Sequence, residues 1–373
     1  MKNIKPVKLA LMGFENGHCA SIFLSAKKEP LVDLVACCFS PRERIIHENR
    51  FGEDIFKGID CYYDEEEMLN AHPEIQGCVC GGSNEMHMKE FRLCAERGIH
   101  IVSMKVPTLD MAEYDEMLRL QKQYGIKVHI ELEMRWRATI DRIKELIADG
   151  RLGEVTSFCA YNYSHFPMWW THWMDIPEQS YGKRIPLYEG AKRFRGGALT
   201  DHPHIIDMAR YILDSEFESV YAEAAPNMRD AAETEDMVYI IGKMQNGVIV
   251  SLDPSYANRE LEQCRRYGNR VNHYPRTVQV ELEIHGTKGS ILCDAYGANL
   301  VEELSGEDFE YTVQQKWYDI ITGRYAFLTN FARNILYGDA YPEPVSLEEH
   351  KKSMQVINAC YDSISSGKIS KLE

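Results

Sequence analysis

Asp201, His204 and Asp207 stand three residues apart in the stretch Gly196-Gly197-Ala198-Leu199-Thr200-Asp201-His202-Pro203-His204-Ile205-Ile206-Asp207. They open an apolar run of helical periodicity through Met208, Ala209, Ile212 and Leu213. On a helix, that spacing sets two carboxylates and an imidazole on neighbouring positions of one face. Such a group tunes a histidine for proton transfer near neutral pH. The same residues also read as a polar helix start with Asp201 as its cap, and His202 competes with His204 for a catalytic position. A second candidate is a single lysine on a loop, Lys105 within Met104-Lys105-Val106-Pro107. A metal site from Asp201, His202 and His204 is not expected, because residues so close in sequence leave no evident complete ligand set.

The elements that must position these groups begin with alternating strands and helices. Strands are expected at Val7–Met12, Leu31–Phe39, Cys61–Tyr63, Gln76–Cys80, His100–Ser103 and Lys127–Leu132. Helices between them cover Arg42–Phe51, Asp64–Asn70, Met86–Arg97 and about Met111–Tyr124. This alternation predicts a parallel sheet with helices on both faces. The turn after the first strand reads Gly13-Phe14-Glu15-Asn16-Gly17-His18, where glycines let the backbone approach a pyrophosphate held at a helix N-terminus. It keeps the first glycine of Gly-x-Gly-x-x-Gly, has Glu15 at the second position and moves a glycine to 17. At the end of the second strand no acid sits at the tip. Ser40, Arg42 and Arg44 stand where a ribose phosphate would be received, so NAD and NADP both remain open.

After Arg137 the pattern changes. One more helix, Thr139–Asp149, is followed by strands at Val155–Tyr163, Phe217–Ala224, Met237–Lys243, Val248–Leu252, Val278–His285 and Ser290–Cys293, with turns at Gly247 and Gly286–Gly289. These predict a second domain on an open, mostly antiparallel sheet, closed by helices at Tyr325–Tyr337 and Leu347–Ser365. The organisation is α/β: an N-terminal Rossmann domain over 1–130, then a substrate-binding and oligomerisation domain over 131–373 whose final helices pack back. The irregular segment 161–195 is rich in aromatics. Tyr163, His165, Trp169, Trp173 and Arg184 set ring planes beside hydrogen-bonding groups, which suits a sugar-like ligand. The same rings would equally serve to pin a long loop to the domain or to a partner subunit.

The chain has 373 residues, enough for two domains with substantial cores. A formal net charge of −15 argues against nucleic acid or an anionic membrane as partner. No apolar run approaches the roughly 20 residues needed to cross a bilayer. The first residues lack a signal-peptide core, so a cytoplasmic location is expected. Eleven cysteines, none in a Cys-x-x-Cys pair, read as reduced structural thiols.

Four segments in order resemble the Gfo/Idh/MocA oxidoreductases: the turn at 13–17; Gly82-Ser83-Asn84-Glu85-Met86-His87; Met104-Lys105-Val106-Pro107; and Gly196 through Asp207. Asp149-Gly150-Arg151-Leu152-Gly153-Glu154-Val155 resembles the family's crossing into its second domain, and Gly286-Thr287-Lys288-Gly289-Ser290 a familiar turn. The family's Glu-Lys-Pro is Met104-Lys105-Val106 here, with the proline, often cis-bonded in the family, one place later. The histidine is also one residue nearer to Asp201 than the family's Asp-x-x-x-His. The resemblance implies NAD(P)(H), with retention between turnovers left open, and hydride transfer at a secondary alcohol of a sugar, glycoside or cyclitol, with oxidation at C3 of a glycoside as the sharpest form. Other chemistries it leaves open are imine or dihydrodiol turnover and a non-enzymatic dinucleotide-binding regulator. It implies that Lys105 hydrogen-bonds the reacting hydroxyl and the cofactor, that His204 takes the proton, and that Asp201 orients the histidine or a neighbouring hydroxyl. Ser83, Asn84 and His87 would meet the nicotinamide half, Arg135 would line the floor between the domains, and Asp207 would be structural. A homodimer or homotetramer is implied as well.

Overall fold

The computed structural model describes residues 5–14, 18–164, 197–227, 235–256, 278–296, 299–305, 311–317, 322–343 and 345–372. The first sheet is built from β1 (Val7–Met12), β2 (Val32–Cys38), β3 (Asp60–Tyr62), β4 (Gly77–Cys80), β5 (His100–Ser103) and β6 (Val128–Ile130). Helices α1 (Cys19–Ala26), α2 (Pro41–Phe51), α3 (Glu65–Ala71), α4 (His87–Ala95) and α5 (Met111–Tyr124) connect them. The order β3-β2-β1-β4-β5-β6 is parallel throughout. Strand order reverses between β1 and β4, which opens a crevice at their carboxyl ends. Gly13 closes β1 at φ +73°, and a Cβ there would lie 2.4 Å from Gly82 Cα, so the two turns meet only through glycine. Ser40 caps α2 in a reciprocal box: its side chain accepts from the Glu43 N–H, and Glu43 Oε2 accepts from the Ser40 N–H at 2.6 Å.

A helical turn, Glu133–Trp136, and α6 (Ala138–Ala148) lead to the second sheet. It is formed by β7 (Val155–Ser164), then, after α7 (Ala198–Asp201) and α8 (His204–Leu213), by β8 (Phe217–Ala224), β9 (Val238–Met244), β10 (Ile249–Asp253), β11 (Val278–Gly286), β12 (Gly289–Asp294), β13 (Asn299–Ser305) and β14 (Tyr311–Trp317). The nine-stranded order is β14-β13-β12-β11-β7-β10-β9-β8 followed by a short last strand at Ser370–Lys371. Only β7 and β10 pair in parallel, so the sheet is mixed and mostly antiparallel, as expected. The expected turns join β9 to β10 and β11 to β12. Strands β13 and β14 are additions to the sequence reading. In β13 the inward position of Glu302 hides the alternation; this buried carboxylate is held by Arg142 and Lys316.

Helix α9 (Thr322–Tyr337) returns to the first sheet, where Phe327, Leu328, Phe331 and Ala332 join Leu9, Leu11, Phe23 and Val79 in one core cluster. Gly77 makes room for it, since a Cβ there would lie 2.9 Å from the Phe331 ring. The following segment covers the β6 edge, with Ile130 N–H donating to the Val345 carbonyl at 3.1 Å. Helix α10 (Leu347–Ser366) packs on β8 and reaches α5 through a hydrogen bond between Tyr114 and His350 at 2.5 Å. No helix among the described residues is long and apolar enough to cross a membrane. The ten described cysteines are free thiols.

Candidate active site

Lys105 follows β5 on a loop whose Lys105–Val106 peptide is cis. The cis geometry thus sits at Val106 rather than at the displaced Pro107. Two side chains hold this loop from the β4–α4 connection. Asn84 Nδ2 donates to the Val106 carbonyl at 2.6 Å, and His87 Nδ1 lies 3.2 Å from the carbonyls of both Val106 and Pro107. Burial pushes His87 down to about 4, and its backbone carbonyl partners oppose the shift. Asn84 and His87, expected against a nicotinamide, therefore also shape the lysine loop. Ser83, buried beside them, accepts the Met86 N–H at its carbonyl.

The lysine reaches across to the end of α7, beside the second sheet. Lys105 Nζ donates to Asp201 Oδ1 at 2.9 Å and to the Asp201 carbonyl at 2.5 Å, with both side chains buried. Tyr256, placed just after β10, donates its hydroxyl to the other carboxylate oxygen at 2.8 Å. Burial and then the Asp201 charge raise the Tyr256 phenol well above its ordinary value, so it remains a donor.

The single helical face expected for Asp201, His204 and Asp207 does not form. Helix α7 ends at Asp201, His202 leaves helical geometry at φ −110° and ψ 49°, and α8 starts afresh at His204 after Pro203. The three side chains consequently point to three different partners. Asp201 meets Lys105. Asp207 takes a bidentate bond from Arg135, at 2.7 and 2.6 Å, and Arg135 also reaches Glu349 at 3.1 Å. Burial alone would raise the Asp207 carboxyl, but Arg135 and Arg210 hold it below its ordinary range. Arg135, expected on the floor between the domains, thus helps clamp α8 to α10.

The break also separates the two histidines. His202 Nδ1 donates to the Pro254 carbonyl at 2.5 Å while Nε2 accepts from the Ser164 hydroxyl at 3.0 Å, so both ring nitrogens are engaged. His204 Nδ1 has no hydrogen-bond partner among the described residues, and Nε2 faces Glu133 Oε2 at 3.9 Å. Burial pushes the His204 imidazole down to about 3, opposed by Glu133 and reinforced by Lys105, His18 and His202. It is neutral at neutral pH. Its ring lies parallel to that of His18, with centroids 6.4 Å apart.

At the glycine turn, the Phe14 ring packs among Phe23, Phe39 and Phe56, and the Phe14 N–H donates to Glu43 Oε1 at 2.6 Å. Ser40 is the α2 cap, and Arg44 bonds Glu48 at 2.8 Å and Tyr63 at 3.3 Å. Two of the three groups expected to receive a ribose phosphate therefore have partners within the chain; the side chain of the third, Arg42, lies outside what is described. Tyr163 stacks on Tyr161 and donates to Asp253 at 2.7 Å. Glu15, Asn16, Gly17, His165, Trp169, Trp173 and Arg184 lie outside the described residues.

Sequence reasoning missed His18, Glu131, Glu133, Tyr256 and Tyr296. One signal was available: Ile130-Glu131-Leu132-Glu133 puts two acids at the carboxyl end of a parallel strand, where ligands bind in such sheets.

Residues 140–292 match the sequence model of the GFO/IDH/MocA C-terminal domain. Myo-inositol 2-dehydrogenase of Thermotoga maritima is 23% identical over 335 residues, covering 88% of this chain and 89% of that one. The WlbA dehydrogenase of Bordetella pertussis, solved in complex with NADH and UDP-GlcNAcA, superposes with a TM-score of 0.71 at 18% identity over 99% of each chain. Aldose-aldose oxidoreductase from Caulobacter crescentus, complexed with glycerol, gives a TM-score of 0.74 at 18% identity, covering 99% of this chain and 100% of that one. Fold and site define a class in which a parallel Rossmann sheet and a mixed, mostly antiparallel sheet are tied together where Lys105 meets Asp201. Residues 140–292 thus carry the Gfo/Idh/MocA C-terminal domain pattern, and over most of its length the chain is similar to an oxidoreductase, the Thermotoga dehydrogenase.

Proposed function

We propose that the chain is an NAD(P)-dependent oxidoreductase moving hydride to or from a secondary alcohol of a sugar, glycoside or cyclitol. The observation that carries this reading is the buried Lys105–Asp201–Tyr256 network with the neutral His204 imidazole nearby. The chain's own crevice fits a dinucleotide: Gly13 and Gly82 meet without side chains, and no described side chain caps α1 or places an acid in its first turn. Gly13, Ser83 and Lys105 would hold the dinucleotide there. When bound, a nicotinamide supplies the hydride acceptor or donor. Lys105 orients the reacting hydroxyl and stabilises negative charge growing on its oxygen. Asp201, fixed by Tyr256, keeps the ammonium in place. His204 takes the hydroxyl proton in oxidation and returns it in reduction.

The Glu43 carboxylate supports NAD over NADP. It is pinned between the Gly13 turn and the tip of β2, where its charge opposes an added ribose phosphate. Sugar-class substrates are supported by the names of the Thermotoga, Bordetella and Caulobacter relatives. Oxidation at C3 of a glycoside rests on the aromatic segment 161–195 and stays part of the proposal. Association into a dimer or tetramer is supported by the outer face of the second sheet, which exposes Tyr221, Tyr239, Ile241, Ile249, Leu292 and Val313. A cytoplasmic location is supported by the free thiols.

Native mass spectrometry of the purified protein, with identification of released nucleotide, tests the first step. Absorbance of reduced nicotinamide during a panel of inositols, aldoses and aryl glycosides tests the second. Retained or titratable NAD(H) together with turnover on one of these alcohols is expected. Failure of both cofactors to bind would overturn the reading.

A further inference from the structure

Two glutamates end the first sheet, and both are fully buried: Glu131 and Glu133 are each 0% exposed. His18, at the start of α1, approaches them from the glycine turn, with Nδ1 2.9 Å from Glu131 Oε2. One ligand atom from each of His18, Glu131 and Glu133 lies within 4.8 Å of the other two. Tyr296 fixes Glu133 by donating to Oε1 at 2.9 Å, and Glu133 Oε2 faces His204. The His204 ring, 3% exposed, is therefore a second imidazole aimed at the cluster, with Nδ1 unpartnered among the described residues.

We propose that His18, Glu131 and Glu133 bind one divalent first-row transition cation, such as Zn2+ or Mn2+, in the cleft. Bonds of about 2.0–2.2 Å hold nitrogen and carboxylate ligands to such an ion, so its ligand atoms stand roughly 3–4.4 Å from one another. The three side chains need only small adjustments to converge. One imidazole nitrogen with two carboxylate oxygens suits a borderline metal, whereas Ca2+ and Mg2+ favour all-oxygen sites. Two carboxylates and a neutral imidazole also match a dication in charge. The three donors come from the glycine turn and the end of β6, so the site joins the nucleotide crevice to the catalytic groups. Its role, unlike its occupancy, rests on the hydride-transfer reading: the ion polarises the reacting hydroxyl, and His204 receives the proton.

A second buried trio, Cys78, Cys80 and Cys94, also brings three ligand atoms within 4.8 Å of one another and is the internal competitor. The test uses full-length protein stripped with a chelator, then titrated with Zn2+ by calorimetry and with Co2+ by absorption spectroscopy. One equivalent per chain is expected, with ligand-field bands of nitrogen and oxygen ligation and no intense thiolate charge-transfer band. The double variant Glu131→Gln, Glu133→Gln, matched in size, should lose roughly 100-fold or more in affinity, beyond what losing an outer partner costs. His18→Gln is the second variant should the double variant fail to fold. Absence of stoichiometric uptake, a thiolate band, or affinity unchanged in a folded variant overturns the site. NADH binding to the stripped protein, followed by nicotinamide fluorescence, keeps the two readings separate. Metal uptake without NADH binding supports the site and counts against the dehydrogenase, whereas NADH binding without metal uptake does the reverse.

Discussion

Lys105 donates to both the side chain and the main chain of Asp201, so one ammonium ties the β5 loop of the first sheet to the end of α7 beside the second. Replacing it tests chemistry and architecture together. Lys105→Ala is expected to lower turnover by roughly two to four orders of magnitude. Nicotinamide fluorescence titration should show NADH still bound, with affinity falling far less than turnover, and wild-type turnover would remove Lys105 from the mechanism.

The two neighbouring histidines should separate cleanly. His204→Ala is expected to lose turnover by a similar factor while its urea midpoint stays near wild type. His202→Ala removes the partner of the Pro254 carbonyl and the Ser164 hydroxyl, and should cost about 1–3 kcal/mol of stability. Equal effects of both changes on both measurements would contradict this division.

Arg135→Met leaves Asp207 buried without its bidentate partner. Breaking a buried pair from one side costs about 3–5 kcal/mol, to be read as a lowered midpoint in chemical denaturation. A variant as stable as wild type would show that Arg210 alone holds Asp207.

Acid should destabilise the fold well before the carboxylates titrate. Burial lowers His87 and His129 to about 4 and His350 to about 3, against roughly 6.5 in the unfolded chain. Between those values the unfolded chain binds protons that the folded chain excludes, so the stabilisation is complete above about pH 6.5 and is lost as pH falls toward 4. Each imidazole adds up to about 1.4 kcal/mol per pH unit to the slope. Melting temperatures measured from pH 7 to pH 4 should fall steeply, and a flat profile would refute the assignment.

The proposed preference for NAD rests on one carboxylate, Glu43. Calorimetry should give tighter binding of NADH than of NADPH, with Glu43→Gln narrowing the gap by about tenfold, near 1.4 kcal/mol. Tighter NADPH binding by the unmodified protein would reverse the reading.

The alternation of strands and helices before residue 130 was legible because each strand is a short apolar run closed by a turn residue. The helical face at 201–207 was misread because periodicity continues through Pro203 while the backbone does not. Lys105 could be picked out by its place after β5, but Tyr256, the partner of Asp201, could not, since no local pattern links positions 55 residues apart. Glu302 hid β13 for a related reason: a buried acid looks exposed until Arg142 and Lys316 are seen beside it.

Helix α9 carries a consequence for the order in which the molecule can be made. The parallel sheet is complete in sequence by residue 130, yet Phe327, Leu328 and Phe331 complete one of its faces. A ribosome must therefore add nearly two hundred further residues before that apolar face has its native cover. Through that interval the nascent chain presents a sticky surface to the cell, and a product ending before Thr322 would keep it for good. The half synthesised first matures last.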